Sequence, residues 1–316
     1  MAAEIRTLKA TYRLTGFSFS NRITQYLCTR CGCHMLARCL TAGDNPSSEA
    51  TWDVTTGTLE DIDGALDWRS HEHIQDTRDG GFADMLLEVN RKELQRWPAH
   101  FPYHAEPSDT SDPNQELPVY GQSLPQSPTT DRLHRLQGHC KCGGVSFYVA
   151  RPSARSALAK KVWPKLPSMN DIEESNVPDE TETFWLRDHG TKFLAGLCAC
   201  NSCRLASGME TTFWAFVPTV DLPIGKNGEE PFTFDFGTLK KYTSSDGCHR
   251  YFCNTCGATC FYDADDRKFM KDVAIGLLTA DGARAESWLG WRTNRLGYRE
   301  DSMPRAGGLT VGIERG

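Results

Sequence analysis

Seven of the 13 cysteines fall into three clusters whose spacing suits a metal ion. Gly138-His139-Cys140-Lys141-Cys142-Gly143-Gly144 sets two cysteines one residue apart in a glycine-rich turn. Cys198-Ala199-Cys200-Asn201-Ser202-Cys203 carries three, and Cys253-Asn254-Thr255-Cys256-Gly257 has the spacing of a zinc knuckle. Zinc takes four tetrahedral ligands at about 2.3 Å from sulfur, and cysteines one or two residues apart can clasp one ion. The glycines that follow permit positive φ angles, which aim backbone N–H groups at the thiolates. The spacing therefore predicts two zinc ions per chain. Cys140, Cys142, Cys253 and Cys256 make a closed site between two hairpins. Cys198, Cys200 and Cys203 hold the second ion and leave one coordination position open. A closed site stabilises a fold, whereas an open one is where zinc chemistry occurs. Two plainer readings stay open: both ions are structural, or the thiols pack as small hydrophobes.

These clusters need rigid elements to hold them, and the surrounding sequence reads as strands. The segments 143–150, 211–218, 232–243, 248–253, 258–264 and 272–280 are short, rich in β-branched or aromatic residues, and bounded by Gly, Pro or Asp. Helical periodicity is scarce. The stretch after Cys203 holds one turn, and Phe82 to Trp97 is the best helix candidate. The fold class is mainly β.

Length and composition suit a soluble chain of about two domains. Residues 101–135 contain six prolines among Ser, Thr, Asp and Gln, which marks a linker. It divides an N-terminal part (1–100) from a C-terminal domain (136–316). A second polar stretch, Lys160 to Thr183, reads as a surface insertion, because cysteine clusters lie on both sides of it. Up to residue 135 there are 13 basic and 19 acidic groups, and 22 of each follow. With no basic excess, nucleic acid is not the expected partner. No segment approaches the roughly 20 apolar residues that cross a bilayer, and no secretory leader is visible. A cytoplasmic location is the expectation, and there clustered cysteines are more often metal ligands than disulfides.

The two ends of the sequence resemble one another. SNRITQYLCTRCGCHMLARC (20–39) is followed by WDVTTGTLED, and SSDGCHRYFCNTCGATCFYD (244–263) by DVAIGLLTAD. Both run from Ser through an aromatic to Cys-x-x-Cys-Gly and then to a strand ending in Gly-x-Leu. This reads as a tandem duplication whose first copy has only its rear half. A metal at Cys28 and Cys31 would need Cys33, His34 or Cys39 to complete it.

Taken in order, GHCKCGGVSF, CACNSCRLASG, YTSSDGCHRYFCNTCGATCFY and DVAIGLL resemble the glutathione-dependent formaldehyde-activating enzyme family, which includes centromere protein V. The likeness covers about residues 136–300, and EHIQDTRDGGFADML is similar to fungal tandem members. The resemblance implies a zinc-containing folded β-tent, with Cys140, Cys142, Cys253 and Cys256 on a structural zinc and Cys198, Cys200 and Cys203 on a catalytic-type one. It implies a carbon–sulfur lyase acting on thiol–aldehyde adducts such as S-hydroxymethylglutathione, with a small thiol or glutathione adduct as partner. A homodimer is compatible with it.

For such chemistry a substrate anion needs positive charge nearby, which Arg204 and Arg250 offer beside the clusters. Ser244 and Ser245 are hydrogen-bond candidates for substrate, and His139 and His249 flank ligands and are candidates to move protons. Cys248 and Cys260 fall outside the spacing and read as core thiols. No residue is assigned as the catalytic acid or base. The competing expectations are an enzyme of the same fold with another small substrate, a non-enzymatic zinc scaffold, and chromatin association, which the absent basic excess disfavours.

Overall fold

The computed structural model describes residues 13–40, 50–62, 64–99, 135–157 and 183–316. The linker, apart from Arg135, and the Lys160–Thr183 insertion, apart from Thr183, lie outside the described residues.

The N-terminal part opens with β1 (Leu14–Ser18), β2 (Ile23–Cys28), β3 (His34–Cys39) and β4 (Thr51–Val54), joined in that order as an antiparallel sheet. Two short pairs follow: β5 (Ser70–His71) with β8 (Gln95–Arg96), and β6 (Glu88–Val89) with β7 (Lys92–Glu93). In the C-terminal part β9 (Arg135–His139) pairs with β10 (Ser146–Ala150). An eight-stranded sheet is built from β11 (Leu186–Arg187), β12 (Lys192–Cys198), β13 (Thr212–Pro218), β14 (Leu239–Ser245), β15 (Cys248–Cys253), β16 (Thr259–Ala264), β17 (Met270–Ala274) and β18 (Leu289–Gly297). Its order is β11-β12-β13-β17-β16-β15-β14, with β18 added in parallel to β12. The chain is mainly β, as its sequence pattern predicts.

The core forms where alternate residues of these strands meet. In β10, Phe147 and Val149 point inward while Ser146, Tyr148 and Ala150 are half-buried, the period of two that a half-covered strand shows. Phe147 packs on Phe261 of β16 with ring centroids 4.9 Å apart. A second core is shared between the two parts. Ile62, Leu86 and Val89 pack with Leu197, Leu296, Leu309 and Ile313.

Several local expectations change. Phe82–Trp97 is not a helix. It forms a 3₁₀ turn at Gly81–Asp84 and then β6, β7 and β8. The reason is Asn90 and Arg91, both at positive φ, which make a two-residue hairpin between Glu88↔Glu93 and Val89↔Lys92. The 232–243 segment joins the sheet only from Leu239. Its alternating aromatics pack instead of pairing, with Phe234 stacked on Tyr251 at 3.6 Å and Phe232 against Phe261. The 272–280 segment ends as a strand at Ala274 and continues as a 3₁₀ turn, Ile275–Leu277.

Strands β12 and β18 and the C-terminal helix were not anticipated. Helix α1 (Ala154–Ala157) is a single turn, α2 (Asn201–Ser207) follows the middle cluster, and α3 (Arg299–Arg315) closes the chain with a kink at Ala306. Pro304, Gly307, Gly308 and Gly312 hide α3 from propensity reasoning. Two of these glycines serve close approach. A Cβ at Gly308 would strike Asn90, and one at Gly312 the carbonyl of Glu88.

Strands β1–β4 repeat the order and register of β14–β17. Leu14 faces Cys28 as Leu239 faces Cys253, and Tyr26 faces Leu36 as Tyr251 faces Phe261. Leu36 faces Val54 as Phe261 faces Val273. Each sheet slips register at the matching place, after Tyr26 and after Tyr251, and each is followed by a 3₁₀ turn containing glycine.

Charged groups tie the two parts together. Asp79 accepts from the backbone N–H of Gly81 and of Arg284, and Asp84 lies between Arg96 and Arg284. These contacts account for the DGGFAD stretch in structural terms. Arg305 of α3 forms a buried pair with Glu210 and donates to the carbonyl of Leu59.

One buried acid has no such partner for both its oxygens. Asp221 is 3% exposed, and its Oδ2 has no hydrogen-bond partner among the described residues. Burial pushes its carboxyl up to about 6, against the opposing effects of Ser156 and Arg155. An unfolded Asp titrates near about 3.9. Because folding raises the pKa, the stabilising contribution of the protonated form is complete below about pH 4 and is lost as pH rises through about 6. Asp221→Asn is therefore expected to stabilise the protein at pH 8, by up to about 3 kcal/mol, and to do little at about pH 4. Urea melts at the two pH values check this, and a gain independent of pH contradicts it.

Candidate metal centre

The first cysteine group is assembled by two hairpins. The β9–β10 turn supplies Cys140 and Cys142, and the β15–β16 turn supplies Cys253 and Cys256. All four sulfurs lie within 4.8 Å of one another. Cys140 and Cys142 are 3.5 Å apart, and Cys142 and Cys253 3.4 Å. A tetrahedron with bonds of about 2.3 Å has sulfur–sulfur edges of about 3.8 Å, so the donors fit one tetrahedral ion.

The backbone prepares these sulfurs for negative charge. Val145 N–H donates to Cys140 Sγ at 3.3 Å, Gly144 N–H to Cys142 Sγ, and Cys256 N–H to Cys253 Sγ. Gly143 and Gly257 take φ of +73° and +75°, which lets each turn fold back in this way. Thr238, absent from the sequence reading, lies 3.0 Å from Cys253 Sγ. A hydrogen bond from Cys256 holds the Cys140 thiol down at about 4, against burial, and the same contact drives the Cys256 thiol up.

The second group is Cys198 at the end of β12, Cys200 at the N-cap of α2 and Cys203 in its first turn, again within 4.8 Å of one another. Cys200 Sγ accepts the N–H of Cys203 at 3.2 Å, so the cap that starts the helix also fixes a donor. Among the described residues no further Cys, His, Asp or Glu joins this group.

Arg250 reaches the trio from β15. It is 4% exposed and donates from Nη1 to Cys203 Sγ at 3.4 Å and from Nη2 to Ser202 Oγ at 3.0 Å. Its guanidinium lies over the Tyr262 ring at 5.1 Å. Burial opposes the charge on Arg250, yet Cys203 and Cys200 raise its pKa above the ordinary value. Hydrogen bonds from Cys198 and Cys200, with Arg250 adding its charge, hold the Cys203 thiol well below its usual range. Arg250 Nε is buried without a hydrogen-bond partner among the described residues. The sulfur donors and the neighbouring cation fit a divalent metal held as a thiolate complex.

The other proposed site residues lie elsewhere. The Arg204 guanidinium donates to the carbonyls of Gly57 and Leu59 and to Asn201 Oδ1. Ser245 is exposed at the end of β14, opposite Cys248, and Ser244 Oγ donates to the Cys248 carbonyl. His249 is held between Thr243 and Asp265, and His139 Nδ1 lies 3.1 Å from the Cys140 carbonyl. Cys260 is fully buried, and Cys248 accepts a hydrogen bond from Tyr262. In the N-terminal hairpin the residues that would complete a metal site with Cys28 and Cys31 have other partners. Cys33 Sγ donates to the His34 carbonyl, His34 Nε2 meets the Cys256 carbonyl, and Cys39 Sγ donates to Asp53.

Ser202 and Tyr262 were missed as site residues. Ser202 stands inside the middle cluster, and Tyr262 is the residue opposite Arg250 in the β15–β16 register, so both were reachable from the sequence.

No helix among the described residues is long and apolar enough to cross a membrane. Compared with known proteins, the chain matches no curated protein. A crystal structure of a Rhodobacter sphaeroides protein aligns with 49% of this chain and 99% of its own, at 17% identity and a TM-score of 0.27. Residues 186–290, which include the three-cysteine group, Arg250 and the Cys253–Cys256 knuckle, match the family described as glutathione-dependent formaldehyde-activating enzyme. The chain carries, at residues 186–290, a domain of the glutathione-dependent formaldehyde-activating enzyme family.

Proposed function

We propose that the chain is a zinc-dependent carbon–sulfur lyase that makes or breaks adducts between a small thiol of the glutathione type and an aldehyde. The observation that carries this reading is the three-cysteine group, which gathers no fourth metal donor among the described residues and has a buried arginine against one sulfur. Under this reading Cys140, Cys142, Cys253 and Cys256 hold a structural zinc, and residues 136–316 form the complete domain. Residues 1–100 are an incomplete copy of it, joined by the 101–135 linker.

A zinc ion held by three thiolates offers a place for a substrate sulfur and lowers the pKa of that thiol. The chain's own residues set the conditions. Cys198, Cys200 and Cys203 fix the donor geometry, and Arg250 offsets the negative charge that three thiolates gather in a buried place. Cleavage of a hemithioacetal moves the C–S electron pair to sulfur while the hydroxyl proton departs and the carbonyl forms. A guanidinium beside the sulfur cluster favours that build-up of negative charge.

Turnover of S-hydroxymethylglutathione by the full chain tests the reading, with metal counted in parallel. Cys200→Ser removes one of the three donor sulfurs and is expected to lose the metal at the trio and to abolish turnover. Unchanged turnover in a variant that has lost one metal per chain overturns the proposal.

A further inference from the structure

We propose that the N-terminal sheet is a clamp that sets the three-cysteine helix in place against the four-cysteine turn, with Arg204, Gly57 and His34 as its positioning residues. The inference rests on the reading of the trio as a metal site, and it gives the N-terminal part a role that needs no metal of its own.

Helix α2 has seven residues, too few to be stable alone, so its placement must come from outside it. Its start is tied to α3, where Asp301 accepts the N–H of Asn201 at 2.9 Å. Its end is tied to the N-terminal part. Arg204, next to the last trio cysteine and 8% exposed, donates to the carbonyls of Gly57 and Leu59, which belong to the 3₁₀ turn after β4 and the residues that follow. The N–H of Gly57 donates to the carbonyl of Gly208, the C-cap of α2, at 3.0 Å. The fit is tight at this point. A Cβ on Gly57 would lie 2.5 Å from the Gly208 carbonyl, and one on Gly208 would strike the carbonyl of His34.

The same strand end reaches the other cysteine group. His34 Nε2 lies 2.8 Å from the carbonyl of Cys256, and the His34 carbonyl accepts the Thr55 hydroxyl at 2.6 Å. Gly32, in the hairpin turn before it, leaves room for the ring of Phe252, where any Cβ would collide. One N-terminal residue thus touches the end of the trio helix with its carbonyl and the four-cysteine turn with its ring. The matching turn of the C-terminal sheet shows that this contact does not come with the strand pattern. Gly276, the counterpart of Gly57, has no atom of the described residues within 4 Å of where its Cβ would stand.

The test uses the full chain loaded with cobalt(II), whose d–d and thiolate charge-transfer bands report the geometry of each site, together with amide hydrogen exchange of residues 201–208. Gly57→Ala and Arg204→Met are expected to weaken cobalt at the trio by about 10- to 100-fold. The bands of the trio shift, those of the four-cysteine site stay, and exchange across 201–208 accelerates. Arg204→Lys, which keeps a charge but loses the two-pronged contact, recovers part of the effect. Should Gly57→Ala fail to fold, Arg204→Met carries the test. Wild-type bands and wild-type exchange in Arg204→Met overturn the clamp. A wild-type chain that takes only one metal sinks the functional reading instead, while amide exchange in the variants still decides for or against the clamp.

Discussion

Replacing Cys253 by serine is expected to unfold the C-terminal part of the chain. Cys253 is fully buried at the end of β15, and its sulfur contacts Cys142, Thr238 and the N–H of Cys256. The two hairpins that meet there belong to different sheets, β9–β10 and the eight-stranded sheet, so the sulfur cluster is a cross-link between them. Structural zinc in small domains contributes about 10–16 kcal/mol, which equals or exceeds the roughly 5–15 kcal/mol by which whole domains are stable. Losing one of four ligands removes much of that contribution and leaves three thiols crowded in a buried place. Circular dichroism with a metal count checks the outcome. A variant that melts cooperatively at the wild-type temperature with one metal fewer contradicts a structural role for this group.

Replacing Arg250 by methionine is expected to leave the fold intact and disable the trio. Methionine keeps an apolar contact with the Tyr262 ring but removes the hydrogen bonds to Cys203 and Ser202 and the positive charge that faces the thiolates. Outer-shell partners of this kind are worth about 10- to 100-fold in metal affinity or activity. Metal binding at the four-cysteine group should not change, since the guanidinium hydrogen bonds of Arg250 go to Cys203 and Ser202. Arg250→Lys should restore only part of the loss, because one ammonium cannot reproduce two donors in a fixed fork. Full metal content and full turnover in Arg250→Met would show the guanidinium to be a packing element alone.

The division of seven cysteines into four and three was legible because ligand spacing is a local property, and the structure brings together the same two groups. Strands β10, β13, β15 and β16 were legible for the same reason, since each carries its pattern within a few residues. What escaped is set by distant contacts. Arg204 stands next to a metal-donor cysteine in sequence, but its side chain serves the carbonyls of Gly57 and Leu59, about 145 residues away in the chain. Helix α3 carries Gly308 and Gly312 where its close neighbours, Asn90 and Glu88, leave no room for a side chain. Phe82–Trp97 carried apolar residues at helical spacing, yet the hairpin at Asn90–Arg91 decided its structure. The likeness of the two Cys-x-x-Cys-Gly blocks was plain in the sequence. That His34, in the first of them, reaches the Cys256 carbonyl and the end of α2 was not, because those contacts cross to the other part of the chain.

The central claim, that one metal is closed and the other open, is tested most directly by metal-edge X-ray absorption on the full chain with and without glutathione. The account predicts two metals per chain, one with four sulfurs and one with three sulfurs and a lighter atom, the lighter atom giving way to sulfur when glutathione is added. Two four-sulfur metals indifferent to glutathione would contradict it and leave both groups structural.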